Sequence, residues 1–172
     1  MLLGAISGLS EWGEFYVITG TSAGALGGLM FVVIALRAER SSQAIEEVEA
    51  YATPTVVHFT TVVILAGIIT VPEQTELSLG LCLVAAGLAG LAYSVWVTFQ
   101  ARRTPYADVL TDWIWRSVLP GLGYAGFVAA APLPWWDTDA ALYVAAAVAL
   151  LFISVGIHNA WDAAVWIASD HE

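Results

Sequence analysis

Five long apolar stretches, each free of Asp, Glu, Lys and Arg, alternate with short polar connections along the chain. They cover residues 15–36, 54–72, 77–101, 117–136 and 140–160. Each holds about 20 residues, the length that a helix rising ~1.5 Å per residue needs to cross ~30 Å of hydrocarbon. A membrane β-barrel would instead need segments of about 10 residues with alternating polarity, and none of the five alternates. The pattern predicts an all-α integral membrane bundle of five transmembrane helices, forming one domain over residues 1–172.

Aromatic and imino residues punctuate the same pattern. Trp12, Trp96, Trp113, Trp115, Trp135, Trp136, Trp161 and Trp166 all fall near the ends of the five stretches, where amphipathic rings favour the headgroup level. Pro54 and Pro72 bracket the second stretch, where a missing backbone N–H is tolerated or a helix stops. Pro120 falls in the first turn of the fourth, and Pro132 and Pro134 with Trp135 and Trp136 predict a stiff turn. Residues 38–53 are polar and compatible with a helix that extends the first or second span beyond the bilayer.

Charge sets the expected orientation. The five arginines are Arg37, Arg40, Arg102, Arg103 and Arg116, and lysine is absent. All five lie in or beside the first and third connections, on one side of an alternating chain. The positive-inside rule places that side in the cytoplasm, so the N-terminus is expected outside and the C-terminus inside, in the cell inner (plasma) membrane.

Composition agrees with the pattern and removes some functions. The 172 residues are 59% hydrophobic and 12% charged, with a mean hydropathy of +0.78; soluble domains carry roughly 25% charged residues. With a net charge of −10 and no basic patch, nucleic acid is excluded as a partner. The lone cysteine, Cys82, cannot close an intrachain disulfide. Residues 1–10 are apolar without a positive n-region, which favours an interfacial lead-in over a signal peptide.

Two constellations are candidates for chemistry. Gly20, Gly24 and Gly28 recur every four residues on the first stretch, a small-xxx-small stripe that allows helix backbones to touch in lipid. It reads either as packing within one protomer or as a homo-oligomer or pore-lining contact; Gly156, Ala160, Ala164 and Ala168 form a weaker stripe on the fifth. The second constellation is a histidine pair. His58 follows the start of the second stretch and His158 precedes the end of the fifth, so the expected topology sets both imidazoles at similar depth near the cytoplasmic side. Asp162 sits at i+4 from His158 on the same helical face, where a carboxylate can orient the ring. Asn159, Thr60 and Thr61 add polar groups at that level.

Ionisable groups within a membrane mark function by default because burying them is costly. His58 and His158 could gate a pore in response to protons or hold haem or a metal ion, or each could be a hydrogen-bonded structural histidine. No carboxylate interrupts the five stretches, and no Gly-x-Ser-x-Gly or comparable nucleophile motif occurs, so an enzyme is not expected. Glu46, Glu47 and Glu49 read as a solvated helical face or a cation-attracting vestibule.

Three segments together, 20–34, 52–59 and 156–162, resemble an uncharacterised family of small multi-pass bacterial membrane proteins. The resemblance touches the first, second and fifth stretches and falls on both histidines and the glycine stripe. It implies a bacterial membrane protein and supplies no chemistry. The functional expectation is therefore an oligomeric pore or transport module for an ion or small solute, with the lipid bilayer and further copies of the chain as partners. The alternatives are a non-transporting holder of haem or metal through His58 and His158, and a ligand-free scaffold or regulatory subunit.

Overall fold

The computed structural model describes residues 9–38, 44–101 and 113–169, and among these every long element is helical. The helices are α1 (Leu9–Ala38), α2 (Ala44–Ile69), α3 (Glu76–Ala101), α4 (Leu119–Ala130) and α5 (Thr138–Ser169). A π-helical turn, Ile114–Val118, leads into α4, and a 3-10 turn, Leu133–Trp135, follows it. Four segments are long and apolar enough to cross a membrane: Glu11–Ala35, Glu76–Gln100, Ile114–Trp135 and Thr138–Asp162. The fifth helix, α2, contributes a shorter apolar run, Thr53–Ile69, which rises about 25 Å.

The second stretch is extended at its start, one of the two expectations for residues 38–53, and departs from expectation in where its prolines fall. Pro54 does not start a helix but lies inside α2, ten residues from its beginning and buried. It removes one backbone hydrogen bond, yet the helix continues through it. Residues 44–53 therefore extend α2, whereas residues 39–43 lie outside the described part. At the other end α2 stops at Ile69, before Pro72. Gln74 folds back and donates from Nε2 to the Ile68 carbonyl at 2.9 Å, covering one of the carbonyls that a helix end leaves open. Glu73 takes φ 55° in this turn. Thr75 then caps α3 reciprocally: the Ser78 N–H donates to Thr75 Oγ1 at 3.2 Å and the Thr75 N–H to Ser78 Oγ at 3.1 Å.

The fourth stretch is helical only as far as Ala130, because Pro132 and Pro134 stop the helix. Pro120 has no N–H to give at the start of α4. The preceding chain is widened to a π turn closed by the Leu119 N–H on the Ile114 carbonyl, a common device for re-aiming side chains.

Helices adjacent in sequence are not always neighbours in space. Extensive contacts join α1 to α2, α2 to α5, α5 to α4 and α4 to α3, with a further contact between α1 and α5; α2 touches α3 only slightly. The lateral order is α1–α2–α5–α4–α3. The central member is α5, the most apolar span at hydropathy 2.5 and the most buried at 50%, against 22% for α1.

One end of the bundle gathers the starts of α1, α3 and α5 and the end of α4. There Trp12 Nε1 donates to Asp139 Oδ1 at 3.3 Å and meets Tyr143 edge-on at 4.6 Å. Deeper, the Tyr16 hydroxyl donates to the Leu142 carbonyl at 2.8 Å. The Trp135 ring at the end of α4 closes over Gly80 near the start of α3.

Candidate functional site

The polar centre of the bundle is built where α2, α4 and α5 converge. His58 on α2 is 2% exposed. Its ring stacks on Phe152 of α5, with centroids 5.2 Å apart and planes 7° from parallel. One residue further, the Phe59 ring occupies space that a side chain at Gly156 would fill. These two aromatic contacts fasten α2 to α5. On the other side of His58, Nδ1 lies 3.3 Å from the hydroxyl of Tyr124 on α4, which lies 3.2 Å from Thr61 Oγ1. Thr61 donates its own proton to the Val57 carbonyl at 2.9 Å.

Counting protons orders this chain of bonds. The Thr61 hydrogen is committed to Val57, so Thr61 can only accept from Tyr124. Tyr124 then has no further proton and accepts from His58, which carries its hydrogen on Nδ1. All three donors are satisfied, and the one unpaired atom is His58 Nε2, an acceptor in this tautomer. The opposite tautomer would leave an N–H without a partner among apolar groups, and that arrangement is costlier. Bonds aligned in one direction also polarise one another.

Tyr124 reaches Thr61 and His58 because α3 makes room for it. Its ring lies against Gly90, where any Cβ would overlap it. Thr61 is the central residue of the run Thr53–Ile69, and Tyr124 falls at the middle of Ile114–Trp135. The network thus sits midway along both segments.

His158 occupies a different setting. Its ring stacks on Trp115, presented by the π turn, at 4.0 Å and 23°. Its Nε2 is 3.3 Å from Asp162 Oδ2, with side chains 32% and 49% exposed. His158 lies six residues beyond Phe152 on α5, about 9 Å of helix rise. The structure joins His158 to Asp162, and His58 to Thr61, while giving the two rings separate surroundings. Asn159 is partly buried and Thr60 is exposed. Among the described residues, no group of three or more His, Cys, Asp or Glu side chains is placed to hold a metal ion.

The glycine stripe divides. A side chain at Gly20 would run into Ala66 of α2, so this position serves packing within the chain. Gly24 is exposed beside Val63, and Gly28 is exposed with open space around it. Gly156 packs on Phe59, and Ala160 is partly buried. Arg40, Arg102 and Arg103 lie outside the described residues, as do residues 1–8.

The weak contact between α2 and α3 leaves a cleft of about 340 Å³, lined by Thr61, Ile64 and Ile68 of α2, Cys82, Ala86, Ala89 and Tyr93 of α3, and Tyr124 and Phe127 of α4. Tyr93 has a shielded hydroxyl without a hydrogen-bond partner, and the same holds for Ser94 Oγ on the α3 face towards α4. The sequence reading passed over Tyr124 and Tyr93. Their signal was position: tyrosine favours the membrane interface, and Tyr124 lies at the middle of its span.

No family model, curated protein or solved structure matches the chain. The class rests on the fold itself: among the described residues, four helices long and apolar enough to span a bilayer mark a helical membrane protein.

Proposed function

We propose that the chain crosses the inner membrane five times, N-terminus outside and C-terminus in the cytoplasm, and serves as a transport module for a small solute. The observation that carries this reading is the parting of α2 and α3 beside a buried chain of hydroxyls and an imidazole. Helices consecutive in sequence usually pack together; here the space between them is kept open at the level of Thr61 and Tyr124. His58, Tyr124 and Thr61 form its control point, and α2 crosses by using part of residues 44–53 to lengthen its short apolar run.

The test is solute flux into proteoliposomes, compared between the native protein and Tyr124→Phe. The variant keeps the ring on Gly90 but breaks the hydrogen-bonded chain, and flux should fall. Equal flux from both proteins, or none from the native protein over an extensive solute panel, would remove the transport reading. Self-association through the exposed Gly24 and Gly28 face of α1 belongs to the same proposal. Native mass spectrometry from mild detergent should show an oligomer that Gly24→Leu weakens.

A second reading is that His58 alone, through its unpaired Nε2, holds haem or a metal ion. A Soret band or near-stoichiometric metal in purified protein, lost in His58→Ala, would establish that reading.

A further inference from the structure

We draw no further inference here: the strongest candidate, the cleft between α2 and α3 lined by Thr61, Cys82 and Tyr93, is an apolar groove with nothing in the structure to show what covers it, because the one hydroxyl on its wall without a partner, that of Tyr93, is shielded from anything lying in the groove.

Discussion

The two faces of α3 carry similar side chains and meet opposite fates. Towards α4, Gly80, Gly87 and Gly90 let a backbone and two aromatic rings press against the helix; Tyr124 lies on Gly90 and Trp135 on Gly80. Towards α2, Cys82, Ala86 and Ala89 are comparably small, but no large side chain comes to meet them and a cleft remains. Small residues in a membrane helix thus mark either the closest approach or the widest gap. Which one results depends on the partner, not on the stripe. The glycines of α1 repeat the lesson on one helix, with Gly20 tight against Ala66 and Gly28 facing open space.

The strongest way to break this comparison is to add one methyl group on the closed face. Gly90→Ala places a Cβ inside the Tyr124 ring and should cost about 3 kcal/mol, the upper part of the usual range for overpacking. Thermal unfolding in detergent measures it, and a stability equal to that of the native protein would mean the ring is not held there. Tyr124→Phe keeps the packing and removes the hydroxyl. The His58 Nδ1–H and Thr61 then lose a partner, and the loss should be about 1 kcal/mol, within the span measured for hydrogen bonds between membrane helices. A larger loss would show cooperative strengthening along the chain of bonds. Ala89→Leu adds three carbons to the open face and should change stability by less than about 0.5 kcal/mol, as substitutions away from packed features do. A large destabilisation there would show that the cleft closes in the membrane.

The apolar stretches were legible because ionised groups are excluded from hydrocarbon, so the absence of charge marks the apolar part of each helix. Their ends were less so. Pro54 looked like a boundary, since proline usually starts or stops a helix, but α2 continues through it. Lateral order was not legible. A membrane helix is apolar all round, so hydrophobic periodicity does not say which face meets protein and which meets lipid. Topology alone set His58 and His158 at similar depth near one end of the bundle; the structure instead sets the His58 network midway along its helices and His158 about 9 Å further along α5. That His58 faces Phe152 and Tyr124 follows from α5 lying between α2 and α4. That His158 meets Trp115 follows from the π turn before Pro120. The pairing of His158 with Asp162 was readable, because i and i+4 lie on one face of a single helix.

The central place of α5 has a consequence for biosynthesis. It is made after the other four described helices, yet it supplies the Leu142 carbonyl for Tyr16 of α1 and the Phe152 ring for His58 of α2. From Ile69 to Thr138 the ribosome adds about 70 residues, which takes roughly 4–14 s at 5–20 residues per second. Throughout that interval α1 and α2 can pair with each other, while the flank destined for α5 faces lipid or the insertion machinery with an imidazole on it. The pair of α1 and α2 is therefore an unfinished intermediate that waits for a helix made about 70 residues later. A chain stopped after Trp136 should insert its first helices and then be degraded faster than the full chain, as pulse-chase labelling would record.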